Sequence, residues 1–106
     1  MSNFSQQQID EVWAKATIDP FQDKNIYRKD IAGAWIEYSK YGKEGSMGWE
    51  IDHILPQARG GSDQFANLQP LQYQNNRSKG DDYPNFHTVI SAEGNQNISK
   101  LQHFSV

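Results

Sequence analysis

Six polar residues in the middle of the sequence have the types that a hydrolytic site requires: Asp52, His53, Asn67, Asn76, Arg77 and Lys79. The segment WEIDH, which ends in Asp52 and His53, alternates apolar and polar residues and therefore predicts a strand. Adjacent side chains on a strand point to opposite faces. The Asp52 carboxylate and the Asn76 amide oxygen are hard ligands that suit Mg²⁺ or Mn²⁺ and leave room for water and a phosphate.

The remaining groups could supply a general base and positive charge beside the metal ion. His53 could take a proton from water, and Arg77 and Lys79 could neutralise phosphate charge. Together with a metal, this set predicts phosphodiester hydrolysis. Each part taken alone has a structural explanation, because an Asp-His pair, turn asparagines and a basic helix end are all common. Their joint spacing favours the chemical interpretation.

The elements around these residues predict an α+β fold. Ser5 and Gln8 form a capping box, and the apolar residues from Ile9 to Ala16 recur at helical spacing, so a helix precedes Asp19-Pro20. Residues 22–32 are polar and predict a loop or a turn of helix. The segment GAWIEYSKYG predicts a strand that pairs with WEIDH as a hairpin.

The second half continues with a turn-rich stretch, GGSDQFANLQP, and then LQYQNNRSKGD, which predicts a short helix that ends at Gly80. The two apolar runs FHTVISA and ISKLQHFSV predict a C-terminal β-hairpin. We find no internal repeat and no second domain, so residues 1–106 are expected to form one domain, with the motif core at about 48–81.

Composition excludes several classes of protein. The absence of cysteine excludes disulfides and Cys-ligated zinc. No stretch approaches the roughly 20 apolar residues of a membrane span, and no signal peptide is recognisable. The sequence therefore predicts a cytoplasmic protein with no membrane partner, with secretion without a cleaved signal as the alternative. A net charge of −3 disfavours strong non-specific binding to nucleic acid.

The pattern EIDHILP, GGSD and NLQPLQYQNNRSKGD closely resembles the HNH endonuclease motif of the ββα-metal, or His-Me finger, nucleases. It covers about a third of the chain. The stretch that precedes it also looks like small bacterial HNH proteins. The resemblance implies a ββα-metal core, to which this sequence adds the N-terminal helix and the C-terminal hairpin.

The resemblance implies a role for each motif residue. Asp52 and Asn76 would ligate the metal, His53 would be the general base, and Asn67 would hold the His53 backbone by bonding across the loop. Glu50 is expected to be a partner of Lys79 or Arg77, with metal ligation as the alternative. The sequence departs from many HNH proteins at Gln72 and Asn75, where a zinc-binding Cys pair would fall.

The predicted substrate is DNA, duplex or single-stranded. Basic residues cluster before and within the motif, which predicts a basic cleft on an acidic body; the expected phosphate-binding residues are Arg28, Lys29, Arg59, Arg77 and Lys79. The acidic balance predicts weak binding that a partner protein or domain supplements, and such a partner could also inhibit the enzyme. The alternative function is a catalytically inactive HNH fold that binds nucleic acid or protein.

Overall fold

The computed structural model describes residues 3–106 of the chain. Within this range two helices and six strands form a small α+β protein, as predicted, and the strands pair into three antiparallel two-stranded sheets. The elements are α1 (Gln6–Trp13), β1 (Tyr27–Lys29), β2 (Trp35–Glu37), β3 (Trp49–His53), β4 (Leu68–Gln72), α2 (Tyr73–Lys79), β5 (Asn85–Glu93) and β6 (Gln96–Ser105). No helix in this range has the length and apolar character needed to cross a membrane.

Helix α1 begins where the sequence predicts. The Ser5 hydroxyl accepts a hydrogen bond from the Gln8 backbone N–H, and the Gln8 side chain accepts one from the Ser5 backbone N–H. The apolar stripe of the helix is buried against strands from the rest of the chain; this core comprises Ile9, Val12, Trp13, Ala16, Ile36, Trp49, Ile51 and Leu68. The helix thereby supports β3 from the side opposite α2.

The predicted hairpin between the Trp35 strand and WEIDH is wrong. The Trp35 strand, β2, pairs with β1, and β3 pairs with β4. Residues 27–29 are a short polar strand, so the segment predicted as a loop carried no apolar alternation to reveal it. Strand β4 contains Pro70, a residue that normally argues against a strand, although every residue of β4 is buried.

Helix α2 follows β4 without a loop. The Gln72 side chain caps it by accepting hydrogen bonds from the Gln74 and Asn75 backbone N–H groups, at 2.9 and 3.1 Å. The helix starts at Tyr73, two residues after the start of the segment predicted to be helical, because Leu71 and Gln72 belong to β4. It ends at Gly80, as predicted, where φ is +51°.

The C-terminal hairpin of β5 and β6 is confirmed, with its turn at Gly94. The Asn75 side chain joins α2 to β5: its oxygen accepts from the Val89 and Ile90 N–H groups, and its nitrogen donates to the Ile90 carbonyl at 2.9 Å. Its nitrogen also donates to the buried carboxylate of Asp30. These contacts fix α2 between the hairpin and the β3–β4 sheet.

Candidate functional site

The end of β3, the loop after it and α2 enclose a cavity of about 270 Å³. It is lined by Ile51, Asp52, His53, Pro56, Gln57, Asn76, Arg77, Gly80 and Asp81. Four residues predicted for the site are therefore brought together: Asp52, His53, Asn76 and Arg77. Hydrogen bonding between β3 and β4 places Asp52 next to α2, and the direct passage from β4 into α2 brings Asn76 to the same cavity.

Asp52 lies at the inner wall of the cavity, only 5% exposed. Its Oδ2 accepts a hydrogen bond from Gln69 Nε2 at 3.0 Å, and Lys79 Nζ lies 3.3 Å from its Oδ1. Burial raises the pKa of the Asp52 carboxyl, while the Gln69 hydrogen bond and the positive charge of Lys79 act against that rise. An ionised carboxylate has about four lone-pair positions, so both oxygens keep acceptor capacity.

His53 has a carboxylate partner that the sequence did not predict. Its Nε2 lies 2.6 Å from Asp63 Oδ1, and its ring lies 5.8 Å from the Phe4 ring. Asp63 follows the Gly60-Gly61 turn in the loop that returns to β4. The only sequence signal for this contact was an acidic residue in the loop that follows β3. The loop has no regular hydrophobic pattern, so its path could not be predicted.

Asn67 bridges the loop through backbone groups. It accepts from the Leu55 N–H at 2.8 Å, and it donates to the Leu55 and Ser62 carbonyls at 3.1 and 2.8 Å. The loop passes so closely that a Cβ on Gly61 would lie 1.7 Å from the Leu55 oxygen. Asn67 thus anchors the residues that follow His53, and its contribution to catalysis remains a prediction.

Lys79 differs from its predicted environment. It was expected to bind phosphate, but the residue is 1% exposed. Its Nζ donates to the His53 carbonyl at 3.0 Å and lies against Asp52. The backbone contact that the sequence assigned to Asn67 is therefore made by Lys79, because α2 turns this side chain inward beneath the end of β3.

Glu50 has an unexpected hydrogen-bond partner, Asn76, while its negative charge also acts on Arg77, one of the two partners expected. Its Oε1 accepts a hydrogen bond from Asn76 Nδ2 at 3.0 Å, whereas Arg77 forms an ion pair with Glu44. Because the Asn76 nitrogen donates to Glu50, the amide oxygen is the atom left to act as a metal ligand. Glu50 is a positioning group for Asn76.

The predicted basic cleft is only partly formed. Arg77 lines the cavity, and Arg59 lies beside it, where its Nε donates to the Asp81 carbonyl at 2.8 Å. Arg28 is 8% exposed and donates to backbone carbonyls at the end of α1 and in the following loop, including that of Ala14 at 3.1 Å. These bonds hold Arg28 inside the fold, so the structure does not bring it to the site.

Lys29 is likewise held elsewhere. It pairs with Asp19 at 3.5 Å, and its ammonium group lies over the Trp35 ring, 4.6 Å from the ring centre. Of the five residues predicted to bind phosphate, Arg77 therefore lines the cavity, and Arg59 contacts the backbone of Asp81, which also lines it.

The donor set of the cavity fits a hard divalent cation. No cluster of three or more His, Cys, Asp or Glu side chains that could hold a metal occurs within residues 3–106. The cavity instead offers the Asp52 carboxylate and the amide oxygen of Asn76, with a second acidic residue, Asp81, on its lining. Magnesium keeps several waters and binds through one or two protein groups and a substrate phosphate, so a sparse oxygen set of this kind is suitable.

Residues 44–85 match the model of a protein family described as HNH endonuclease. The match spans β3, β4, α2 and the loop that encloses the cavity, and it confirms the resemblance predicted from the sequence. The family indicates nuclease-type activity and nucleic-acid binding in general, and its members generally use a divalent metal ion. No curated protein and no solved structure matches the chain.

Proposed function

We propose that the protein is a metal-dependent endonuclease that hydrolyses phosphodiester bonds in DNA, with β3, β4 and α2 as a ββα-metal core. The observation that supports this most directly is the convergence of Asp52, His53 and Asn76 on one open cavity. A chain without catalytic function has no need for a carboxylate, an imidazole and an amide in one cavity, within a segment that matches a nuclease family.

Asp52 and Asn76 would hold one Mg²⁺ or Mn²⁺ ion. When bound, the ion would neutralise charge on the scissile phosphate and the leaving oxygen. Glu50 fixes the Asn76 amide, and Lys79 and Gln69 fix the Asp52 carboxylate. The oxygen ligands are thus oriented before any substrate arrives.

His53 would act as the general base that deprotonates the attacking water. With an ionised Asp63 beside Nε2, the proton of a neutral imidazole is favoured on that nitrogen, and Nδ1 is left to accept a proton. Lys79 on the His53 carbonyl and Asn67 on the Leu55 backbone hold the base at the end of β3. Arg77, and Arg59 beside it, would contact substrate phosphates.

An inactive binding module is the second candidate function. The observation that favours it is the buried contact of Asp52 with Lys79, 3.3 Å apart, because the ammonium group competes with a metal ion for the carboxylate. This candidate predicts DNA binding without cleavage.

Nicking of supercoiled plasmid separates the two candidates. With Mg²⁺ or Mn²⁺ the wild type should nick, and EDTA should abolish nicking. His53→Ala should lower the rate about 10²- to 10⁴-fold, the usual contribution of a positioned base. Asp52→Ala should lose both cleavage and Mn²⁺ binding by calorimetry, whereas the exposed control Asp82→Ala should retain both. If wild type and His53→Ala nick equally slowly, at the level of a mock preparation, under every metal, the binding module becomes the better account.

A further inference from the structure

The C-terminal hairpin carries a pair of histidines that the proposed nuclease does not use. His87 in β5 and His103 in β6 are direct cross-strand partners, and both are exposed. Their ring centres lie 4.2 Å apart with an angle of 65° between the ring planes. Two imidazoles are thus presented to solvent from neighbouring positions on one face of the hairpin.

The backbone beneath this histidine pair is fixed. On the opposite face Phe86 stacks on Phe104 with ring centres 5.4 Å apart, and Phe86 is 2% exposed. The Ser78 hydroxyl of α2 donates to the His87 carbonyl at 2.8 Å. Direct cross-strand partners have Cβ atoms about 4.5–5.5 Å apart. The distance between the Cβ atoms of the two histidines is therefore fixed by the pairing of the strands.

We propose that His87 and His103 bind one transition-metal ion of the Zn²⁺, Ni²⁺ or Cu²⁺ type. Neutral imidazole is a preferred ligand of these ions, with metal–nitrogen distances of about 2.0–2.1 Å for zinc. Rotation about the side-chain bonds brings one nitrogen from each ring to a shared ion without moving the strands. Because the ligands are held by paired strands, little conformational entropy is lost on chelation.

Neighbouring groups can complete the coordination sphere. Asn85 and Ser105 form the next cross-strand pair on the same face and, with the histidines, line an open cavity of about 390 Å³. Their amide and hydroxyl oxygens, or water, are available as further ligands. With two imidazoles rather than the three or four protein ligands of most zinc sites, this site binds more weakly than a structural zinc site.

Metal binding here has a structural consequence. The ion would join β6 to β5, which is attached to α2 through Asn75. A ligand that binds only the folded chain raises its stability with concentration. The two metal sites differ in chemistry, since the cavity at Asp52 offers oxygen ligands that favour Mg²⁺, whereas the hairpin offers nitrogen ligands.

Calorimetric titration of the tag-free full chain with Ni²⁺ tests the site. With excess Mg²⁺ present to occupy the proposed oxygen site at Asp52, one Ni²⁺ ion should bind the wild type. His87→Gln and His103→Gln should each weaken this binding about tenfold or more, since even groups that only support a ligand cost 10- to 100-fold. His53→Gln is the matched control and should bind Ni²⁺ as the wild type does. Unchanged affinity in both hairpin variants, or loss in His53→Gln, would overturn the proposal.

Paramagnetic broadening by Ni²⁺ or Cu²⁺ in amide NMR spectra locates the ion in the unmodified protein. Broadening should centre on residues 85–88 and 102–105, and a centre at residues 52–63 would overturn the assignment. Ni²⁺ should also raise the melting temperature of the wild type but not that of His87→Gln. Nicking with Mg²⁺ is independent of these measurements, so failure of either proposal is recognised separately.

Discussion

Lys79 connects the proposed metal ligand Asp52 to the proposed general base His53. Its ammonium group contacts the Asp52 carboxylate and the His53 carbonyl, and its side chain is fully buried. Burying an ion pair removes both charges from water, and this cost offsets their mutual attraction. Removing one partner is nevertheless strongly destabilising, because it leaves the other charge buried and unpaired. Lys79 is therefore a positioning residue whose loss should affect stability and activity together.

Replacing Lys79 by methionine tests this role. Lys79→Met leaves Asp52 buried without its cation, which should lower the free energy of unfolding by about 3–5 kcal/mol. Adding Asp52→Asn to this variant should recover part of the loss, because no uncompensated charge remains. Urea unfolding in EDTA measures both effects. A loss below about 1 kcal/mol would mean that the pair is effectively solvated.

At this scale the residue types of the site were predictable, and several partners were not. The adjacency of Asp52 and His53 and the spacing to Asn76 identify the cavity residues from sequence alone. The contact of Asp63 with His53 depends on the path of an irregular loop. The burial of Lys79 depends on the rotation of α2 against β3. Neither follows from a local period.

Among the elements, α2 is held by a hydrogen-bonded network at the positions where many HNH proteins carry cysteines. Gln72 and Asn75 are fully buried, and the Gln72 backbone N–H and the Asn75 side-chain nitrogen donate to Asp30 Oδ2, at 2.9 and 3.0 Å. Asp30 Oδ1 accepts from the Ala32 and Ala34 N–H groups. Burial raises the pKa of the Asp30 carboxyl, and these hydrogen bonds act against that rise. The network links α2 to the β1–β2 connection through hydrogen bonds.

Among the residues of this network, Asn75 is the one whose replacement should lower the free energy of unfolding most. Asn75→Ala leaves the Val89 and Ile90 N–H groups and the Ile90 carbonyl buried without this partner, so the loss of stability should be about 3 kcal/mol or more. Asn95→Ala, in the exposed turn of the hairpin, is the matched control and should stay within about 0.5 kcal/mol of wild type. Thermal unfolding compares the two, and equal melting temperatures would contradict the role of Asn75.

A second variant adds a pH dependence. Asn75→Asp keeps the acceptor for the N–H groups but places a carboxylate against Asp30 and the Ile90 carbonyl, which raises the pKa of this pair of carboxyls. A raised pKa in the folded state gives stability at low pH that is lost as the pH rises through it. The deficit of Asn75→Asp should therefore shrink as the pH falls from neutral towards the carboxyl range. A deficit independent of pH would contradict this.

The elements show where sequence patterns succeed and fail. The capped helix α1 and the C-terminal hairpin follow local rules, since each carries its own signal in Ser5–Gln8 or in two apolar runs around a glycine turn. The pairing of β3 with β4 does not, because Pro70 conceals the strand and a 14-residue loop separates the partners (residues 54–67). Long-range pairing is decided by burial on both sides of β4.

For the whole molecule, charge limits how strongly the proposed site can bind DNA. The chain carries a net charge of −3. The arginines nearest the cavity already have partners in the protein: Arg77 forms an ion pair with Glu44, and Arg59 donates to the Asp81 carbonyl. Arg28 is enclosed, and Lys29 is paired with Asp19 and lies over Trp35. Few phosphates can therefore be neutralised at once, and affinity supplied by a partner protein or domain fits this surface.

The salt dependence of DNA binding measures that number directly. Each neutralised phosphate adds about −0.9 to the slope of log affinity against log salt, so contacts by Arg59 and Arg77 alone predict a slope near −2. Fluorescence anisotropy with a short labelled duplex, with the His53→Ala protein in EDTA, gives the slope without cleavage. Adding Arg59→Ala and Arg77→Ala should bring it close to zero, whereas adding Lys29→Ala should leave it unchanged. Glu44→Gln should strengthen binding, because it releases Arg77 from its ion pair. A slope of about −4 or steeper would show that the chain binds DNA through basic residues outside this cavity.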